Sequence, residues 1–153
     1  MSVSEHHMDR GRALTIRPEI FVEYVYDVCH SLKRLGVVKV MVLNGHGGNK
    51  WQNLEPKVPE QIKKLEDLGV TYVTYWETCP QSFYEANLEK ERSAGHAGEF
   101  ETSFAMVNFP ERIRTDQINY GNAQIATIPK GGHILNAIIE GVTEKVQEML
   151  DEA

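Results

Sequence analysis

Cysteine is scarce in this 153-residue sequence: Cys29 and Cys79 stand alone, in no zinc-ribbon or C-x-x-C spacing. That argues against a disulfide framework or a thiolate metal site, and reads as two reduced thiols. Long apolar runs are missing too. The longest, Val37 to Leu43 with Lys39 inside it, falls far short of the roughly 20 residues that span a bilayer, and nothing resembling a cleavable leader precedes it. The expectation is a cytoplasmic protein with no membrane contact. Basic residues are outnumbered, 16 Lys and Arg against 22 Asp and Glu for a net charge of −6, and no basic patch offsets the deficit. Binding to nucleic acid through its phosphates is therefore not expected. Internal repeats and low-complexity linkers are absent, and 41% apolar with 25% charged residues is ordinary for one globular domain over residues 1–153.

What is there begins with the apolar run itself. Val37 to Leu43 is β-branched and apolar apart from Lys39, which predicts a strand buried on both faces of a parallel sheet, and it stops in Asn44-Gly45-His46-Gly47-Gly48-Asn49. In open α/β sheets ligands bind beyond the carboxyl ends of strands, so His46 sits where chemistry is normally placed. Glycines leave room beside the imidazole, and Asn44 and Asn49 can fix the loop through side-chain hydrogen bonds. Three readings compete. A phosphate cradle fits poorly, because Lys50 stands where G-x-G-x-x-G needs its third glycine. A tight turn with an incidental histidine is the second, and a metal-ligating histidine the third.

The remaining elements follow by pattern. Met1 to Arg17 is polar and reads as a loop leading to a short extended segment at Ala13 to Ile16, with His6-His7 either a solvated pair or part of a site. Pro18 opens a helix whose stripe is Ile20, Phe21, Tyr24, Val25, Val28, Leu32 and Leu35, with Gly36 as its stop. A helix with Val58, Ile62, Leu65 and Leu68 on its apolar face, interrupted by Pro56 and Pro59, precedes a strand from Val70 to Trp76. Trp76 is either a core residue or a platform for a planar substrate. Gln81 to Ala94 reads as a polar helix outside the core. Further elements are an apolar helix through Phe104 to Val107, a loop at Asp116 to Asn122, and a short strand at Ala123 to Ile128. Gly131-Gly132 then act as a hinge into a last helix striped by Ile134, Ile138, Val142 and Val146. Strand and helix alternation predicts a three-layer α/β/α sandwich with a mainly parallel sheet.

A second cluster, Gly95-His96-Ala97-Gly98-Glu99-Phe100-Glu101-Thr102-Ser103, gathers an imidazole and two carboxylates among glycines. Those are groups suited to metal ligation and proton transfer. They equally suit a helix N-terminus whose Glu99 and Glu101 complement the dipole. Taken together, N-G-H-G-G-N and, fifty residues on from its histidine, H-A-G-E-F-E-T-S resemble the creatininase (creatinine amidohydrolase) family, from about Glu5 to the C-terminus.

That resemblance implies a metal-dependent hydrolase acting on the C–N bond of a small amide or cyclic amide through a metal-bound hydroxide. Zn, Mn or Fe would serve, in a dinuclear site. It implies His46 as a metal ligand, with Glu99 or Glu101 supplying a carboxylate, and His96 as the group that passes a proton to the leaving nitrogen, Glu99 assisting. Asn44, Gly47, Gly48, Asn49, Trp76 and one of His6 or His7 would face the substrate. Two departures stand out: creatininase has a glutamate where this sequence has Gly48, and another where it has Gly95, which argues against creatinine itself. The upstream segment that supplies most of the family's metal ligands has no counterpart here. The fold is accordingly expected to be truncated at the N-terminus, with an exposed sheet edge that favours a homo-oligomer. Other family chemistries, such as ring opening of a keto-inositol or deformylation, remain open, as does a non-catalytic binding or assembly module.

Overall fold

The computed structural model describes residues 2–10, 13–54 and 68–152; the expected helix around Val58, Ile62 and Leu65 lies outside them, as does the side chain of His6. The chain divides into two compact units, Met1–Thr74 and Tyr75–Ala153.

In the first unit, α1 (Pro18–Arg34) starts on a proline and ends where Gly36, at φ +87°, donates its N–H to Lys33 O. Only glycine takes that left-handed conformation without penalty, which is why the helix stops there. The chain then enters β1 (Lys39–Asn44), which pairs in parallel with β2 (Gly69–Thr74) from Lys39 opposite Gly69 to Asn44 opposite Thr74. Cys29 and Leu68 are buried with Val25, Tyr26, Val40 and Val70 around them, so α1 covers one face of this pair. A neighbouring cluster joins Val22 and Leu54 of the short helix α2 (Trp51–Leu54) to Val3, Phe21 and Tyr72.

Several expectations change here. The inward stripe of α1 runs through the buried Val22 and Cys29 and the partly buried Val25, whereas Ile20, Tyr24 and Val28, and Leu35 just past its end, are exposed. The apolar positions are broad enough to offer two faces, and the sheet takes one. Nor is β1 buried on both faces: Leu43 is 52% exposed, since β2 is the one strand that pairs with it among the described residues. The N-terminal stretch contains a 3-10 turn, Glu5–Arg10, rather than loop alone.

The second unit is helical. Its core gathers Trp76, Cys79, Tyr84, Leu88, Phe100, Ile134 and Ile138, drawn from a 3-10 turn (Tyr75–Thr78), α3 (Gln81–Asn87), α4 (Glu99–Asn108) and α5 (Ile128–Asp151). Phe100 is fully buried, a contribution of about 1.5 to 3 kcal/mol. α5 packs so closely that a Cβ on Gly131 would lie 2.0 Å from Ser103 O of α4, and one on Gly141 would lie 2.6 Å from Thr78 O of the 3-10 turn.

Here too the sequence pattern misleads in places. β2 ends at Thr74, and Trp76 lies in the 3-10 turn because its indole is drawn into the core. The helix expected to Ala94 ends at Asn87, and it is not peripheral, since Tyr84 and Leu88 are core residues. The strand expected at Ala123 to Ile128 is instead a 3-10 turn, Gly121–Ile125, opened by Gly121 at φ +50°. Gly131 and Gly132 lie inside α5 rather than before it, because Thr127 caps the helix by accepting Lys130 N–H at 3.3 Å, and Pro129 occupies its first turn.

Candidate functional site

The two histidine loops fall in different units, and each is built by different chemistry. At the carboxyl end of β1, buried Asn44 folds its amide over the loop: Oδ1 accepts His46 N–H at 3.0 Å, while Nδ2 donates to His46 O at 3.0 Å and to Thr74 Oγ1 at 3.2 Å. Asn49, also buried, accepts Val3 N–H at 2.8 Å, and Val3 O lies 1.7 Å from where a Gly48 Cβ would be. Gly48 is therefore glycine because a backbone passes over it, whereas Gly45 and Gly47 have open space at that position. The Ser2–Ser4 segment is held against the loop in this way, with Ser4 N–H donating to Thr15 Oγ1 at 2.9 Å and His7 N–H to Ser4 O at 2.9 Å. His7, Asn44, His46, Gly47, Gly48 and Asn49 thus belong to one connected neighbourhood.

The orientation of His46 limits its chemistry. Its Nδ1 accepts Gly48 N–H at 3.2 Å, so the neutral ring carries its proton on Nε2. In that state Nε2 is a hydrogen-bond donor and has no lone pair for a metal. Histidine ligands usually do the reverse, donating through the nitrogen away from the metal.

In the second unit, Glu99 opens α4 and is completely buried. Its carboxylate accepts the N–H groups of Glu89 at 2.9 Å and Lys90 at 2.9 Å, and the Lys130 ammonium at 2.6 Å. Lys130 also reaches Glu89 Oε1 at 2.7 Å and Ile125 O at 2.9 Å. Burial by itself would raise the Glu99 pKa, but the hydrogen bonds from Glu89 N–H, Lys130 and Lys90 N–H together outweigh it and hold the group below the ordinary glutamate value. Glu99 is thus a fixed anion rather than a proton donor. Glu91 reciprocates by accepting Phe100 N–H at 2.8 Å, its carboxylate occupying the space that a Gly98 side chain would need.

Between these contacts lies the exposed His96. Its neighbour Ala97 sits at φ +49°, a conformation that L-residues rarely hold, and both polar backbone groups of Ala97 are tied: N–H to Glu101 Oε2 at 2.7 Å, and C=O to Thr102 Oγ1 at 3.1 Å. Glu101 therefore supports the histidine loop. Trp76 is 7% exposed, packed in the core with Tyr75 edge-on at 4.9 Å, which leaves little ring face for a substrate. Burial also pushes the Cys79 thiol up to about 11, against the opposing hydrogen bond from Tyr84. Lys130, Glu89 and Glu91 carry no signal in the sequence; they become visible only when the chain folds α5 beside α4.

A metal does not fit what the described residues bring together. No three His, Cys, Asp or Glu side chains converge among them, His46 is oriented as a donor, and Glu99 is saturated by peptide N–H groups and a lysine. No metal-borne step can be drawn from this arrangement.

Comparison with solved structures gives the fold. A creatinine amidohydrolase (creatininase) structure superposes at a TM-score of 0.77 with 18% identity, covering 89% of this chain and 65% of that one. A glutamate-to-glutamine creatininase variant complexed with creatine gives 0.76 with 19% identity, covering 90% and 67%. A zinc–zinc type of such a variant gives 0.78 with 18% identity, covering 91% and 67%. The chain therefore has the α/β fold of creatininase and spans about two thirds of the length of these proteins. Among curated proteins none matches it. The creatininase family profile, described as creatinine amidohydrolase, matches residues 1–145 and takes in both histidine loops, and on that match the chain belongs to the creatininase family.

Proposed function

We propose that the chain contributes to a hydrolase of the C–N bond in a small amide or cyclic amide. The observation that carries this reading is the family match over residues 1–145, which spans both loops. In it, His96 is the proton carrier, held on a loop whose neighbouring peptide is tied by Glu101 and Thr102. Glu99 acts at one remove, by holding the start of α4 against the turn at residues 89–91. Asn44 and Asn49 keep the His46 loop in shape. A divalent metal, Zn, Mn or Fe, belongs to this reading because the solved relatives include a manganese form and a zinc–zinc type. Its ligands must extend beyond the groups assembled among the described residues. The exposed apolar face of α1, with Tyr24, Val28 and Leu35, supports assembly into a homo-oligomer.

A second reading, a non-catalytic binding or assembly module, is favoured by two observations: the Glu99 carboxylate is engaged by peptide N–H groups and Lys130, and His46 Nδ1 accepts Gly48 N–H. Metal content separates the two readings. Plasma mass spectrometry on untagged protein should find about one or two equivalents of metal per chain if the hydrolase reading holds, together with turnover of creatinine, 2-pyrrolidinone or a formamide that falls by at least about 100-fold in His96→Gln. Metal-free protein that turns over none of these amides would leave the binding module.

A further inference from the structure

A cavity of about 400 Å³ lies entirely within the second unit, beside the His96 loop, with which it shares Ala97, Glu101 and Thr102. It is lined by Glu101, Thr102 and Ala105 of α4 and by Arg112, Ile113 and Arg114 of the segment after α4. Its volume is in the range of small-molecule sites. Its lining brings together one glutamate, two arginines and the apolar residues Ala97, Ala105, Ile113 and Ile118.

These charges do not neutralise each other. The Glu101 carboxylate is held by Ala97 N–H at 2.7 Å. Arg112 is turned to Glu111 at 3.5 Å, and the Arg114 side chain makes no hydrogen bond or ion pair among the described residues. A cavity lined by opposite charges that stay apart discriminates among ligands. A phosphate or a dicarboxylate would satisfy the arginines and be repelled by Glu101. An amine would do the opposite, and a neutral hydrocarbon would desolvate both kinds of charge without pairing either. A molecule with an anion at one end, a cation at the other and a short apolar spacer satisfies all three features.

We propose that this cavity binds a small zwitterion, of the class of an ω-amino carboxylate, with its carboxylate toward Arg114 and Arg112 and its ammonium toward Glu101. The site borders the His96 loop, which Glu101 and Thr102 also hold, but binding there needs neither His46 nor a metal. The charged groups are open to water, so the affinity expected is about millimolar.

The test is a titration of the whole chain followed by amide chemical shifts, with ω-aminohexanoate, hexanoate and hexylamine as probes. The amino acid should bind about fivefold or more tightly than either single-charge analogue, with shifts centred on Thr102, Ala105 and Ile113. Arg114→Gln, a change at an exposed position, should remove the advantage of the amino acid over hexylamine. Glu101→Gln keeps an amide oxygen for Ala97 N–H and should remove the advantage over hexanoate. Equal binding of hexanoate and the amino acid by the unaltered chain overturns the assignment of Glu101. Absence of shifts at those residues with every probe up to tens of millimolar overturns the site.

Discussion

The two histidine loops solve the same problem with different materials. Around His46 the scaffold is made of neutral amides: Asn44, Asn49 and peptide groups hold a loop over which the Val3 backbone passes. Around His96 it is made of charges: Glu99 and Lys130 anchor the helix start, Glu91 caps Phe100, and Glu101 holds Ala97. Neutral hydrogen bonds do not titrate and are little screened by salt, whereas a carboxylate scaffold persists only while it is ionised. One imidazole is thus set by shape and the other by electrostatics.

The largest effect should come from the charged scaffold. Glu99→Ala leaves the Lys130 ammonium, 16% exposed, without its buried partner and strips peptide N–H groups of their acceptor. Loss of one member of a buried pair costs about 3 to 5 kcal/mol, to be read from urea unfolding. If the loss were below about 1 kcal/mol, the contrast between the loops would collapse. Gly48→Ala should come next, at roughly 3 kcal/mol, since its Cβ would meet backbone and one of the two must move. Gly98→Ala displaces only the end of the Glu91 side chain, so the expected cost is about 1 to 2 kcal/mol, that of a lost helix cap.

Acid sharpens the comparison further. Because the folded Glu99 pKa lies below the ordinary value of 4.5, its contribution is complete above that value and is lost as pH falls through the depressed one. For Lys130, burial opposes the charge, but the hydrogen bonds it donates to Glu89 and Glu99 win and raise its pKa, so its contribution is complete below 10.5 and lost only above that. Amide exchange followed from about pH 6 to pH 3 should therefore show protection at residues 89–91 failing before protection at His46 and Asn49, whose N–H groups are held by amide and peptide oxygens. Simultaneous failure would mean that the loops share one origin of stability. Smallest is Ala97→Gly, which relieves the positive φ and loosens the unfolded chain; a net gain of no more than about 1 kcal/mol is expected from thermal unfolding.

Legibility in the sequence followed the same divide. The amide-built loop could be read in part: Asn44, His46 and Gly48 act on one another within a few residues, whereas the contacts of Asn49 and Gly48 with Val3 and of Asn44 with Thr74 were not legible. α1, its glycine stop and the β1–β2 pair were open to hydrophobic pattern. The charge-built loop was not. Glu99 is bonded by Lys130, 31 positions away, and no spacing rule announces that contact. The same blindness explains Trp76, where an alternating pattern runs on past the end of the strand. It also explains Tyr84 and Leu88, whose polar neighbours conceal that they are core. Local chemistry is printed in the sequence, and long-range pairing is not.

The close seats of Gly131 and Gly141 carry a consequence for how this chain acquires its structure. Each interior glycine weakens an isolated helix by roughly 0.5 to 1 kcal/mol relative to alanine, and α5 contains Gly131, Gly132 and Gly141 within 24 residues. Its conformation is therefore a product of docking on Ser103 and Thr78 rather than a preformed rod that docks. The last helix and the core it covers should order in one cooperative step, with the long C-terminal segment waiting on the residues made before it.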